Sequence, residues 1–228
     1  MFSGRVGLLG GTFDPLHNGH LALARYVQQA LALDQVVLIP AARPPHKGHC
    51  SLTPYALRVE MILAALEGHS DLSVSLVEQD TTGPSFSIDT LERLNALLTA
   101  RLSYFVIGSD AFVELPSWKR FHDIPRYTNL VVVNRHDVES DGLDRSRACI
   151  RQYFPEYTAH GECCWQAPGR GDILLMAMPR IDLSSTMVRR QIRCGGDVSA
   201  MVPSGVKVLI DAHRLYAEPL TPGVPVCY

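Results

Sequence analysis

Short apolar runs alternate with helix-spaced ones along most of this chain, and that alternation limits the fold more than any other feature. Val6–Leu9 and Val36–Ile39 read as strands covered on both faces. Between them Leu21, Ala24, Val27 and Leu31 recur at helical spacing. Thr53-Pro54 predicts a helix start, a capping hydroxyl followed by proline at the first helical position, with the helix running to about Leu66. Leu72, Val74 and Leu76 alternate with serine, as in a less buried strand. Ser87 to about Leu98 is the next helix, with Leu91, Leu94 and Leu98 on one stripe. Leu102–Ile107, Leu130–Val133 and Ile173–Met178 are further strand candidates, and Ser185–Arg193 and Ser204–Tyr216 are late helices. Repeated βα units predict an α/β fold with a parallel sheet, right-handed crossovers and helices on both faces. Ligands of such sheets bind beyond the carboxyl ends of the strands, so residues that carry chemistry should follow strands.

The 228 residues suit one domain, predicted over residues 1–216, followed by a proline-rich tail over 217–228. Lys+Arg 21 against Asp+Glu 23 argues against a nucleic-acid partner, which needs a broad basic surface. No apolar run reaches the roughly 18 residues of a membrane span, and the start of the chain lacks signal-peptide zones. A cytoplasmic protein without a membrane partner is expected, and a homo-oligomer is compatible with all of this. Cys50, Cys149, Cys163, Cys164, Cys194 and Cys227 form no disulfide-like framework, so reduced thiols are expected. Cys163-Cys164 near His160 lacks the usual zinc-ligand spacing, and no metal-ligating residues are predicted. His136–Asp172 is the least readable stretch: Asp144–Phe154 has an amphipathic helical pattern and Pro168–Gly171 reads as a turn.

Gly10-Gly-Thr-Phe-Asp-Pro-Leu-His-Asn-Gly-His20 follows the first strand and opens a helix. Gly10 and Gly11 let backbone pass close to a ligand, with Thr12 and Phe13 next in line. Asn18 is the expected cap, which puts His20 in the first turn. A helix start favours phosphate, and the spacing of His17 and His20 can aim both imidazoles at one anion. The block is neither a Walker A loop nor a dinucleotide fingerprint. A second anion-type helix start is Asp182-Leu-Ser-Ser-Thr-Met-Val-Arg189. Ser184 or Ser185 can cap it, and Arg189 lies one turn on with a planar fork suited to phosphate. Alone, it is also an ordinary capped helix.

The first block resembles the signature of the nucleotidyltransferase superfamily, whose H-x-G-H element matches His17–His20. The second resembles the S-S/T-T-x-x-R element of the same superfamily. The resemblance implies a Rossmann-like, doubly wound sheet of nucleotidyltransferase type. It also implies contacts from His17 and His20 to ATP phosphates, and from Ser184, Ser185, Thr186 and Arg189 to the β- and γ-phosphates.

Three further elements narrow the acceptor. Pro44-Pro-His46-Lys47 follows the second strand, where His46 and Lys47 can steady a phosphate. Ser85-Phe86-Ser87-Ile-Asp89-Thr90 opens a helix whose N–H groups suit a carboxylate. Ile107-Gly108-Ser-Asp110 follows a strand, and Leu115-Pro-Ser-Trp118 comes shortly after. Asp110 is placed for a ribose hydroxyl or a helix cap, and Trp118 for stacking on a flat ring or for the core. Together these are similar to the bacterial nicotinate-nucleotide adenylyltransferase family, from Val6 to about Tyr216, including Met201-Val-Pro-Ser-Gly-Val. The resemblance implies that backbone around Ser87, with Trp118 and Lys119, holds nicotinate, and that the Gly108–Asp110 turn contacts nucleotide. Phe86 and Ser87 stand where Tyr and Thr are common, and Arg135-His-Asp137 replaces a more usual Arg-Pro-Gly.

The expected reaction joins nicotinic acid mononucleotide to the AMP part of ATP, with His17, His20, Lys47 and Arg189 as charge stabilisers and Mg²⁺ accompanying the triphosphate. Competing readings are an adenylyltransferase for nicotinamide mononucleotide or another phosphate such as phosphopantetheine, and a nucleotide sensor without turnover. A class I aminoacyl-tRNA synthetase also uses H-x-G-H, but this chain lacks a Lys-Met-Ser-Lys-Ser loop.

Overall fold

A computed structural model describes residues 4–45, 52–97, 102–135 and 141–217. In chain order the elements are β1 (Arg5–Gly11), α1 (Asn18–Ala30), β2 (Gln35–Pro40), α2 (Tyr55–Leu66), β3 (Leu72–Val74), α3 (Ser87–Leu97), β4 (Leu102–Gly108) and α4 (Ser109–Val113). Two 3₁₀ turns, Leu115–Ser117 and Phe121–Arg126, lead to β5 (Asn129–Asn134), α5 (Gly142–Tyr153), β6 (Thr158–Ala159) and β7 (Cys164–Gln166). The described elements end with β8 (Ile173–Ala177), α6 (Ser185–Arg193) and α7 (Ser204–Ala212).

The strands lie in the order β3-β2-β1-β4-β5-β8-β7-β6. From β1 the chain winds outward through β2 and β3, then crosses to the other side of β1 for β4 and β5. The direction of winding therefore switches between β1 and β4, where such sheets open a crevice. Side chains alternate across the strands, as a sheet covered on both faces requires. Leu9, Leu38, Val106 and Val131 pack on one face with Leu23 of α1, Met61 of α2, Val188 of α6 and Val206 of α7. Leu8, Val37, Phe105 and Leu130 pack on the other with Leu91 of α3 and Ile150 of α5.

The parallel α/β expectation holds for the six neighbours β3, β2, β1, β4, β5 and β8, but β7 runs antiparallel to β8 and β6 antiparallel to β7. The short Gln166–Ile173 connection cannot make the long crossover that parallel neighbours need. The amphipathic pattern at Asp144–Phe154 is α5. Other boundaries shift. Strand β1 continues through Gly10 and Gly11, which stay in register with Ile39 and Pro40. Strand β3 stops at Val74, and Leu76 belongs to a turn in which its carbonyl accepts the N–H of Gln79. Helix α7 ends at Ala212 because Arg214 and Tyr216 take φ of +48° and +64°, in the left-handed region. Pro54, not Thr53, occupies the N-cap position of α2, and the Thr53 hydroxyl instead donates to Tyr216 Oη at 3.1 Å. Leu98 and the tail from residue 218 onward lie outside the described residues.

Candidate active site

The loop after β1 is held in a costly conformation. Phe13 has φ of +50°, rare for a residue with a side chain, and its ring is buried. The ring covers Gly11, where a Cβ would meet it at 3.0–3.2 Å, and it meets the His20 imidazole edge-on at 5.0 Å. Arg58, only 1% exposed, supports the loop from α2. Its guanidinium donates to the carbonyls of Thr12 at 2.7 Å, Ala41 at 2.8 Å and Thr53 at 3.0 Å. Such a fork satisfies carbonyls from three loops at once, which lysine cannot do.

Helix α1 opens differently from the sequence expectation. His17, not Asn18, is the N-cap, and its backbone N–H donates to Nδ1 of His20 at 3.2 Å. Asn18 is the first helical residue; its N–H donates to the Met201 carbonyl and its amide to that of Ala200. With Nδ1 of His20 accepting, Nε2 is the ring nitrogen that carries the proton. The two imidazoles stack, with centroids 3.7 Å apart and planes 26° from parallel. His17 is 3% exposed, and burial together with the charge of Arg135 lowers its pKa to about 4. It is therefore neutral near pH 7. Its Nδ1 is buried without a hydrogen-bond partner among the described residues. Gly19 explains the glycine between the histidines, since a Cβ there would lie 3.0 Å from His17 Nδ1.

The second motif is fastened directly to the first. Ser184 is the cap of α6 and accepts the Met187 N–H at 3.2 Å. Ser185 Oγ donates to the Pro15 carbonyl at 2.9 Å. Arg189 donates to the Asp14 carbonyl at 2.6 Å and to Thr186 Oγ1 at 3.3 Å. Both helix starts therefore share the Asp14-Pro15 segment. Asp14 is itself buried, and the phenol of Tyr216 donates to its Oδ1 at 2.7 Å. Burial raises the Tyr216 pKa well above the usual phenol range, so it stays protonated as a donor.

A cleft of about 360 Å³ opens at the carboxyl ends of β1, β2 and β4. It is lined by Gly10, Gly11, Thr12 and His20 on one side, and by Phe86, Ser87, Trp118 and Lys119 on the other. Gly108 and Asp110 also line it. Phe13 and His17 lie beneath the cleft rather than in its wall, and Ser184–Arg189 stand beside it on the Asp14-Pro15 segment. Gly108 is the N-cap of α4, so Asp110 does not cap that helix; its exposed carboxylate lies 3.8 Å from Arg135 Nη2. Lys119 Nζ contacts both oxygens of Asp89, at 2.9 and 2.8 Å, and sits 4.9 Å from the Phe86 ring centroid. That exposed pair contributes little stability, at most about 1 kcal/mol, but it fixes the ammonium at the cleft's edge. Trp118 is half-buried, packed on the core yet reaching the cleft. His46 and Lys47 lie outside the described residues.

Three residues of the site were not anticipated. Arg135 lines the cleft and directly follows β5, so the rule that functional residues follow strands reaches it. Glu78 also lines the cleft, with its carboxylate accepting from the Ala42 N–H at 3.0 Å and the Thr90 hydroxyl at 2.6 Å. Arg58 sits within a helix stripe and carries no local signal of its inward turn.

This sheet, its crevice at the β1–β4 switch and two anion-type helix starts on one segment define a nucleotidyl-transfer protein. The chain matches the cytidylyltransferase-like family model over residues 8–191. It is 36% identical to the "probable nicotinate-nucleotide adenylyltransferase" of Pseudomonas syringae pv. tomato, over 97% of each chain. It is 33% identical to the protein of the same name from Clostridium perfringens, over 93% of this chain and 98% of that one. The chain belongs to the nicotinate-nucleotide adenylyltransferase family. In fold it matches the Plasmodium falciparum nicotinic acid mononucleotide adenylyltransferase complexed with NaAD, with a TM-score of 0.69 at 16% identity, covering 93% of this chain and 97% of that one.

Proposed function

We propose that this protein transfers the AMP part of ATP to nicotinic acid mononucleotide, giving nicotinic acid adenine dinucleotide and pyrophosphate, a step of NAD biosynthesis. The observation that carries this is one shared cleft, lined by His20 of one helix start, by Ser87 of another, and by Trp118 and Lys119 beyond the Leu115–Ser117 turn. Relatives at 36% and 33% identity that bear the acid-form name support the acceptor.

In this scheme an oxygen of the acceptor phosphate forms a bond to the α-phosphorus of ATP in line. The bond from that phosphorus to the bridging oxygen breaks, and pyrophosphate leaves with the electron pair. The acceptor phosphate is already ionised near neutral pH, so positioning and charge stabilisation are what the protein must supply. His20 donates from Nε2 to the phosphates, with His17 behind it. Ser184, Ser185, Thr186 and Arg189 grip the β- and γ-phosphates beside it, and Lys47 keeps its expected place as a stabiliser. The first turn of α3 offers N–H groups that the helix itself leaves without partners, suited to the nicotinate carboxylate. Trp118 supplies a flat face for the ring.

Mg²⁺ is proposed to arrive on the triphosphate, held mainly by phosphate oxygens and water. No three His, Cys, Asp or Glu side chains gather into a metal site among the described residues. When bound, the metal would neutralise part of the triphosphate charge. The cytoplasm is the proposed compartment; no helix among the described residues is long and apolar enough to cross a membrane.

The test is a panel of nicotinic acid mononucleotide, nicotinamide mononucleotide and phosphopantetheine with ATP and Mg²⁺, following dinucleotide and pyrophosphate. The acid form should be preferred over the amide by at least about tenfold, since a carboxylate is better matched to that helix start. Equal turnover of acid and amide would overturn the acceptor assignment. Pyrophosphate release from none of them would favour a sensor.

A further inference from the structure

We propose that Tyr216 is a positioning residue for the triphosphate end of the site, acting through Asp14 from 202 positions away. This rests on the proposed ATP site at the two helix starts. Tyr216 does not line the cleft, and its hydroxyl is engaged on both sides. Its hydroxyl donates to Asp14 Oδ1 at 2.7 Å and accepts from Thr53 Oγ1 at 3.1 Å. The Thr53 N–H reaches the other carboxylate oxygen at 3.4 Å. The main chain of that same Asp14 presents the carbonyl that takes Arg189 at 2.6 Å, and the next carbonyl takes Ser185.

The segment has reason to need this hold. Phe13, just before Asp14, sits at φ +50°, and such a conformation persists only when its surroundings enforce it. Arg58 pins the upstream side through the Thr12 carbonyl, and Tyr216 pins the downstream side through the Asp14 side chain. A buried carboxylate that loses a donor must find another, and a charged acceptor makes that loss larger than for a neutral pair. The Asp14 carboxylate can meet the need by turning toward water, and its main chain turns with it. That rotation moves the carbonyl that aims Arg189.

The experiment is a double-mutant cycle on ATP affinity, measured by titration calorimetry with Mg²⁺. Wild type, Tyr216→Phe, Arg189→Ala and the double variant are compared. Tyr216→Phe keeps the ring and removes only the hydroxyl. It should weaken ATP binding about tenfold in the wild-type background, and less than about twofold once Arg189 is absent. If that variant melts below the assay temperature, Thr53→Ala, which removes the hydroxyl's other partner, carries the same cycle. A lower melting temperature with unchanged ATP affinity, or an equal loss in both backgrounds, overturns the inference. Failure of wild type to make the dinucleotide would sink the proposed reaction instead, leaving the ATP titration to decide this point.

Discussion

The imidazoles of His17 and His20 lie face to face, 3.7 Å between centroids, but only His20 reaches the cleft. The pair is thus divided by depth. His17 is a buried neutral ring stacked behind its partner, and His20, which lines the cleft, is the one proposed to donate. The division leads to different expectations for the two positions.

Replacing His20 by alanine removes the proposed donor together with the acceptor of the His17 N–H. Turnover should fall by at least about 100-fold, the usual cost of losing a preorganised donor to developing charge. Steady-state rates of dinucleotide formation check this, and wild-type turnover in His20→Ala would refute the role.

Stability should depend on pH through His17. Its folded pKa, about 4, lies below the ordinary 6.5. Between those values the unfolded chain binds the extra proton and the folded one does not, so stability falls as pH drops through that window. The loss should be about 2 kcal/mol from pH 7 to pH 5. Urea unfolding of wild type and His17→Gln at both pH values isolates it, because other titrating groups are common to the two proteins. An identical pH dependence in both would remove His17 as the source.

Gly19→Ala gives a sharper test of the stacked pair. Alanine is the better helix former by about 1 kcal/mol, so the backbone itself should not object. The new methyl group, however, meets His17 Nδ1 at 3.0 Å and Cε1 at 3.1 Å. The ring must shift, and His20 with it. Turnover should drop about tenfold, a modest misplacement penalty, while the melting temperature changes little. Full activity in this variant would show that the spacing of the rings is unimportant.

Arg58→Lys separates charge from geometry. Lysine keeps the charge but cannot reach the Thr12, Ala41 and Thr53 carbonyls together. Buried carbonyls left without donors should cost about 2–3 kcal/mol, read from the urea midpoint. A shift below about 0.5 kcal/mol would mean that the loops hold without the fork.

Much of the fold was legible along the chain because strand and helix periods are local properties. Leu8 and Leu9 point to opposite faces simply because neighbouring strand residues do, and Leu91 and Leu94 share a face because a helix turn brings them together. The same holds for the rule that placed His20, Gly108 and Ser184 after strands. Arg135 obeys that rule too, and its position after β5 was the available signal. Boundaries were less legible. Gly10 and Gly11 read as following the first strand, yet parallel pairing with β2 keeps them in it. Thr53 looks like a cap, yet a more distant partner takes its hydroxyl.

By itself, the sequence determined the alternating elements, the two anion-type helix starts and the residue types that suit phosphate and carboxylate. Tertiary structure alone decided which strand neighbours β1, and therefore that the cleft opens between β1 and β4. It also decided that His17 is buried and His20 is not, and that Tyr216 closes on Asp14. The reason is the range of the interactions. Periodicity records which face of an element is apolar, whereas a hydrogen bond between residues 202 positions apart leaves no mark on the residues between them.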